Sequence, residues 1–349
     1  MRKHIIRFIA MFAILIVLAF YPLNYYISKP GGAYELQPLV TIEEVHPQPK
    51  GLFHLMTISI AKATPLTYVY AQLSKEMDVL PVTSVKQEEE DDEEYSIRQK
   101  RLMYNSQNKA KIVAFNRAKR HYEVKYNGIY VIGVVKGSAA EGIIRPGDTI
   151  VQVNDYPLTE KQTFHPYIEK MLKGDQLTLV IERDGQQFEK EVTLADLPNR
   201  PGKVGLGIRY EDNEIVETSP NVVFESSSIG GPSAGLMFTL EIMNHLQDDD
   251  LTKGYSVAGT GEILEDGSVG RIGGIDFKVI AAHKQKIDIF FAPDDVVSKE
   301  MKAQYPDIRS NYEVAVETAE RLKTPMQIVP VRTIDDALHY LEELPPKAS

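Results

Sequence analysis

Three short clusters carry residues that could do chemistry together: Gly230-Gly231-Pro232-Ser233-Ala234-Gly235, Thr260-Gly261-Glu262, and Gly273-Gly274-Ile275-Asp276-Phe277-Lys278. A serine hydroxyl becomes a useful nucleophile only when a neighbour takes its proton. A lysine amine can do so once burial lowers its pKa from about 10.4 toward neutrality. Lys278 lies in Ile275-Asp276-Phe277-Lys278-Val279-Ile280-Ala281-Ala282, whose apolar spacing predicts a helix start packed on a core, an environment that desolvates the amine. The chemistry expected is therefore Ser-Lys hydrolysis. Taken singly, Gly231 to Gly235 fits a G-x-S-x-G pattern that is often only a turn, and Gly273-Gly274 fits a loop followed by a solvated lysine. The ordered combination is what points to catalysis.

On these motifs the segment from about Val204 to Leu344 resembles the proteolytic domain of Lon-type Ser-Lys proteases. The resemblance implies that Ser233 is the nucleophile, Lys278 the base and Thr260 a hydroxyl beside the dyad. It also implies that Gly231, Pro232 and Ala234 form the active-site loop, with backbone N–H groups near Ser233 as the oxyanion donors. The 45-residue separation of Ser233 and Lys278, and the continuation through Ala281-Ala282-His283 and Ile289-Phe290-Phe291-Ala292-Pro293, keep the pattern in register. One departure is Gly230, where many members of that family place an acidic residue.

The elements that must position these residues sit in a chain of 349 residues, long enough for two or three domains. With no cysteine there is no disulfide framework, zinc-thiolate site or cysteine catalysis, as suits a Gram-positive-type exterior. A net charge of −10 argues against nucleic acid as a partner. No G-x-x-x-x-G-K-[ST] loop is present, so no nucleotide partner and no ATP-driven unfoldase are expected. No cofactor and no metal are expected either: the acidic run from Glu88 to Glu94 lacks the glycine turn of a calcium loop and reads as a solvated, self-repelling loop.

Residues 1–28 read as a cytoplasmic tip and a transmembrane anchor, with a cleaved signal peptide as the alternative that the lack of a nearby small-x-small cleavage pattern disfavours. Arg2, Lys3 and Arg7 precede an apolar run from Phe8 to about Leu23, with Tyr21, Tyr25 and Tyr26 at interfacial level. The basic residues predict a cytoplasmic N-terminus, a single pass through the cell membrane and an extracellular catalytic domain, with membrane lipid as a partner. Residues 29–119 read as an extracytoplasmic segment joining the protease fold. Within it, Leu52 to Ile60 has strand character, a helix opens at Pro65, and another runs from Met103 to Ala118. Ser106, in that last helix, carries no nucleophile signature.

Residues 120–198 change to short strands and one helix. Gly128 to Val135, Ser138-Ala139-Ala140 and Ile144 to Asn154, turning at Pro146-Gly147-Asp148, resemble a PDZ domain. The resemblance implies a groove helix over Pro166–Leu172 and closing strands over Gln176–Arg183 and Gln187–Leu194. Its peptide-carboxylate loop would be Tyr126-Asn127-Gly128-Ile129, continuing into Tyr130 and Val131. A rigid spacer is the bland alternative. Residues 199–349 then form the Lon-like proteolytic domain.

The whole, an α+β chain with one N-terminal transmembrane helix, a PDZ-like domain and a Lon-type Ser-Lys domain, is similar to the membrane-anchored, PDZ-containing Lon-like proteases of Gram-positive bacteria. The resemblance implies an ATP-independent serine endopeptidase acting on peptides or small membrane-anchored regulators, such as pheromone precursors or division inhibitors. Homo-oligomerisation is left open. Two rivals are a non-catalytic PDZ scaffold with a degenerate protease domain and an α/β-hydrolase-like esterase, which would need a base such as His283 or His339.

Overall fold

A computed structural model describes residues 2–43, 49–225, 229–247 and 249–348. In chain order the helices used below are α1 Arg2–Phe20, α2 Pro65–Leu73, α3 Asp92–Arg117, α4 Phe164–Ile168, α5 Gly235–Leu246, α6 Ile275–Lys284, α7 Asn311–Leu322 and α8 Ile334–Glu343. The strands are β1 Tyr25–Glu35, β2 Leu52–Lys62, β3 Asp78–Pro81, β4 Tyr122–Val134, β5 Thr149–Val153, β6 Gln176–Arg183, β7 Gln186–Thr193, β8 Ile208–Thr218, β9 Ser256–Gly259, β10 Ile289–Pro293 and β11 Gln327–Val331. They fall into two compact units. One comprises Met1–Val40, His46–Glu89 and Ser233–Ser349; the other comprises Glu90–Pro232 and a short stretch starting at Thr41.

The first unit is organised on a six-stranded mixed sheet of order β11-β10-β9-β2-β1-β3. β2, β9, β10 and β11 run parallel, and β1 and β3 add antiparallel at one side. Central parallel strands are covered on both faces, so they read as continuous apolar runs rather than alternating ones. Ile289-Phe290-Phe291-Ala292-Pro293 is buried throughout, and Phe53 to Met56 likewise. Helix α5 is apolar around its whole circumference, which makes it an interior helix. Every residue from Gly235 to His245 is buried. Helix α6 buries Ile275, Val279 and Ala282 against Met56, Ala258 and Phe290, with Ala315 and Ala319 of α7 completing that core. α8 turns Ile334, Ala337 and Leu341 inward at helical spacing.

The anchor helix is shorter than the apolar run. α1 ends at Phe20, and Tyr25, Tyr26, Ile27 and Ser28, included in the anchor segment 1–28 with the two tyrosines at interfacial level, belong to β1. Tyr26 to Ser28 are buried because β1 is flanked by β2 and β3. α2 opens at Pro65 as expected, where a missing N–H is harmless, with Thr64 and Thr67 closing a reciprocal capping box.

The second unit is an antiparallel sheet of order β8-β4-β5-β6-β7. Period-two alternation sends Ile129 and Val131 of β4, Ile150 and Val153 of β5, and Leu177, Leu179 and Ile181 of β6 into one core. The Pro146-Gly147-Asp148 turn is fixed by a buried carboxylate: Arg183 donates to both oxygens of Asp148, at 2.6 and 2.7 Å, and the Arg145 N–H donates at 2.8 Å.

Four expectations change here. The domain boundary does not lie at 198/199, because β8 pairs with β4 along its whole length, from Ile208 opposite Val134 to Thr218 opposite Tyr122. Residues 90–119 group with this unit rather than with the protease fold, since α3 packs on β8 and β4. And the acidic run is no repelling loop. Asp91 caps α3 in a box with Glu94, Arg98 grips the buried Glu90 at 2.6 and 2.9 Å, and buried Glu94 accepts the Val134 N–H and pairs with Arg209. Negative charge gathered at a helix N-terminus is favourable, which explains why the run and the helix adjoin. The groove helix also starts earlier than expected, spanning Phe164–Ile168.

Candidate active site

The side chains of Ser233, Thr260 and Lys278 come from helix and strand ends, two of them set by glycines that have no room for a side chain or that adopt a left-handed backbone. Ser233 directly precedes Ala234, the N-cap of α5. Thr260 follows Gly259 at the end of β9, where a Cβ would come within 2.7 Å of Met237 Sδ and 2.9 Å of Phe291 Cβ. Gly261 is held to glycine in the same way, its Cβ position lying 2.4 Å from Val269 Cγ1. Gly274 caps α6 in the left-handed region, at φ 65°, and lets the chain turn into the helix that brings Lys278 inward.

These elements bring Ser233, Thr260 and Lys278 together. Lys278 Nζ lies 2.6 Å from Ser233 Oγ and 2.9 Å from Thr260 Oγ1. Thr260 Oγ1–H donates to the Ser233 carbonyl at 3.0 Å, and the Gly261 N–H donates to the same oxygen at 2.9 Å. Two donors on one carbonyl pin the backbone of the nucleophile. Because the threonine proton is spent on that carbonyl, Thr260 Oγ1 can only accept from Lys278. One amine N–H is thereby held by Thr260, and the lone pair of the neutral amine is free to face the serine hydroxyl.

Lys278 is 2% exposed. Burial lowers its pKa from 10.5 to about 7, with no carboxylate among the described residues pulling it back. The amine is therefore substantially neutral at physiological pH, as a general base must be.

The remaining loop residues differ from expectation. The Gly231 N–H already donates to the Gln99 carbonyl at 2.8 Å, and Pro232 has no N–H, so neither supplies an oxyanion donor. The Pro232 carbonyl accepts from buried Ser106 at 2.9 Å, which makes that serine a strut. The N–H groups of Ser233 and Ala234 stand at the head of α5, where the helix end favours negative charge. The histidine alternatives fail on geometry: the group touching Ser233 Oγ is a lysine, and His339 is exposed beside Glu343.

The peptide loop expected at Tyr126-Asn127-Gly128-Ile129-Tyr130-Val131 is not a loop. All six residues lie inside β4, a central strand with β8 on one side and β5 on the other. Gly128 N–H donates to the Leu158 carbonyl and Val131 N–H to the Asp148 carbonyl, so this stretch has no edge to offer. The edge strand on that side is β8, preceded by Gly205-Leu206-Gly207 with Gly207 at φ 76°. Side chains of α3 already occupy its carbonyls at Asp212 (Arg101), Glu214 (Asn108) and Val216 (Lys111). What remains of the edge is Ile208 to Glu211. A Gly-x-Gly before an alternating strand was the sequence signal for it.

The buried amine predicts a pH-dependent stability. Between pH 7 and 10.5 the unfolded chain binds a proton at Lys278 that the folded chain does not, so stability rises with pH across that window and the penalty is complete below pH 7. That penalty is on the order of 5 kcal/mol, at 1.36 kcal/mol per pH unit. Lys278→Met should raise Tm most at pH 6 to 7, and the gain should shrink toward pH 10. Calorimetry across that range checks it; a gain independent of pH contradicts the assignment.

Residues 108–194 match the PDZ domain family, and residues 225–341 match the Lon protease (S16) C-terminal proteolytic domain. The chain is 27% identical over 159 residues to the Lon protease of Mycoplasma mobile, covering 46% of this chain and 17% of that protein. It is 36% identical over 109 residues to the Lon protease of Campylobacter concisus, covering 31% and 11%. The chain thus spans about a sixth or less of the length of these curated relatives. Among solved structures it is similar to the PDZ domain of the SdrC-like protein from Listeria monocytogenes, 24% identical over 24% of this chain and 88% of that one, with a TM-score of 0.23. A solution structure from Geobacillus thermodenitrificans is 29% identical over 24% and 95%, with a TM-score of 0.21. The chain carries a PDZ domain and a Lon-type C-terminal proteolytic domain of the serine peptidase kind.

Proposed function

We propose that this protein is a membrane-anchored serine endopeptidase that works without ATP, with Ser233 as nucleophile, Lys278 as general base and Thr260 holding the amine. The observation that carries the reading is the 2.6 Å contact between Ser233 Oγ and an amine that is buried with no carboxylate beside it. Neutral Lys278 takes the hydroxyl proton as Oγ attacks the scissile carbonyl carbon. The oxyanion that forms is met by the N–H groups of Ser233 and Ala234, preorganised donors worth a factor of about 10² to 10³ each. The ammonium of Lys278 then gives its proton to the departing amine, leaving an acyl-enzyme. Water attacks that ester with Lys278 again as base, and Ser233 regains its proton.

Substrates in this reading are flexible peptides or small membrane-anchored regulatory proteins outside the cytoplasm, such as pheromone precursors or division inhibitors. The supports are the apolar helix α1, none of it buried and long enough to cross a membrane, and the basic residues Arg2, Lys3 and Arg7 at its start, which favour a cytoplasmic N-terminus. Tightly folded proteins would be cut only as fast as they open spontaneously.

Purified full-length protein should cleave an unfolded polypeptide with no nucleotide added. Ser233→Ala and Lys278→Ala should each abolish turnover, and the double variant should be little worse than either, because nucleophile and base act as a unit. Lys278→Arg should also be inactive, since a guanidinium stays protonated. Substantial turnover by Lys278→Ala would overturn the dyad.

The PDZ domain selects substrate in this account, with a C-terminal tail pairing along Ile208 to Glu211 of β8. Amidating the C-terminal carboxylate of a cognate peptide should raise KM and leave kcat unchanged. Equal kcat/KM for the free acid and the amide would make the domain a spacer.

A further inference from the structure

The nine residues of α2, Pro65-Leu66-Thr67-Tyr68-Val69-Tyr70-Ala71-Gln72-Leu73, contain no charge. Leu66, Val69, Tyr70 and Leu73 recur at i, i+3, i+4 and i+7, the spacing that normally faces a core. Here the stripe faces outward: the four side chains are 60, 59, 61 and 82% exposed. The inward side is carried by Ala71, which packs with Ile27 and Ala63 and with Leu23 of the connector that follows α1. So the helix is apolar on the face that a globular protein would make polar.

Its place in the fold says what covers that face. α2 lies against α1. The connector between α1 and β1 is bonded to the residue just before α2's cap: Leu23 N–H donates to the Ala63 carbonyl, and Ala63 N–H donates to the Tyr25 carbonyl, both at 2.8 Å. The rings of Tyr25 and Tyr68 meet edge to face at 5.2 Å. α2 is thus fixed where the apolar helix α1 gives way to β1. Tyr25 and Tyr68 meet there, and exposed Tyr21 just past α1 and Tyr70 on α2 are of the same residue type, which membrane–water interfaces favour. Exposed Lys62 and Lys75 flank the helix, where their stems can lie along lipid and their ammonium groups reach the headgroups.

We propose that α2 is a second membrane contact, lying in the boundary between headgroups and acyl chains with its Leu66–Leu73 stripe inserted beside α1. The proposal rests on the membrane-anchor reading of α1. It fixes the attitude of the catalytic sheet as well as its tether. Five steps along β1 separate Tyr25 from Pro30, which pairs with Ile58, and the Ile58 side chain rests against Gly274 at the head of the lysine helix. The support of the dyad therefore begins roughly 17 Å of strand away from the lipid, at about 3.3 Å per residue.

The chain has no cysteine, so one introduced thiol is a unique label site. Leu66→Cys, Val69→Cys and Leu73→Cys, with Ile14→Cys in α1 and Lys302→Cys on an exposed helix as references, would each carry an environment-sensitive fluorophore. Full-length protein is then reconstituted in phosphatidylcholine–phosphatidylglycerol vesicles with or without nitroxide-bearing acyl chains. The expected result is a blue shift and several-fold quenching by the lipid nitroxide at positions 66, 69 and 73, as at 14, with none at 302. Quenching at 14 with water-like spectra at the three α2 positions overturns the proposal and leaves the anchor standing. Blue-shifted α2 labels that the lipid nitroxide does not quench mean that protein covers the face, and overturn it too. Loss of quenching at 14 as well brings down the anchor reading and the proposal together.

Discussion

A lysine amine held out of water with no carboxylate beside it is the constraint on which the catalytic unit depends. Among the described residues no charge offsets the burial, so the proton leaves near pH 7 rather than near 10.5. The same desolvation that suits Lys278 to the proposed role of base makes it a burden on the fold, on the order of 5 kcal/mol below pH 7 and shrinking to nothing toward pH 10.5. That is comparable to the whole net stability of an ordinary domain. The burden is carried by packing around α6, where Ile275, Phe277, Val279, Ile280, Ala281 and Ala282 are all buried.

The other parts of the site serve to keep this amine pointed at one oxygen. Thr260 and Gly261 reach the Ser233 carbonyl only because β9 ends with Gly259 wedged against Met237 and Phe291. Lys278 reaches Ser233 only because α6 is entered through a left-handed Gly274 that rests on Ile58 of β2. Of the Gly273-Gly274 pair, the second is the one with a steric requirement; a Cβ at Gly273 meets nothing within 4 Å. A triad places a carboxylate behind its base to orient it. Here a hydroxyl with its own proton committed elsewhere does the orienting, and it does so without raising the amine's pKa.

The meeting of Ser233, Thr260 and Lys278 was legible in the sequence because the motifs that carry them are local and sterically determined. Gly259, Gly261 and Gly274 sit where a side chain cannot, so the residue pattern itself records the geometry. The β6–β7 hairpin was legible for a related reason: two alternating runs flank a short turn, and its register follows from that turn. What could not be read depended on distant partners. Tyr126 to Val131 alternates like any strand, and only the sheet order shows it to be central rather than an edge. β8 was assigned to the protease domain because its partner β4 lies more than seventy residues earlier. The acidic run was misjudged because its partners, Arg98, Arg209 and the Val134 N–H, come partly from strands far along the chain. The outward stripe of α2 has the periodicity of a core helix, and its exposure is visible only in three dimensions.

The most direct test of the account is to titrate Lys278 itself in the full-length Ser233→Ala protein, which cannot digest itself. With lysines labelled with 13C at Cε and the resonance assigned by its loss in Lys278→Met, the chemical shift followed against pH reports the amine's protonation. The account predicts an inflection near pH 7, against about 10.4 for an unperturbed lysine. An inflection for Lys278 above pH 9 would mean that the amine is charged at physiological pH and cannot be the base.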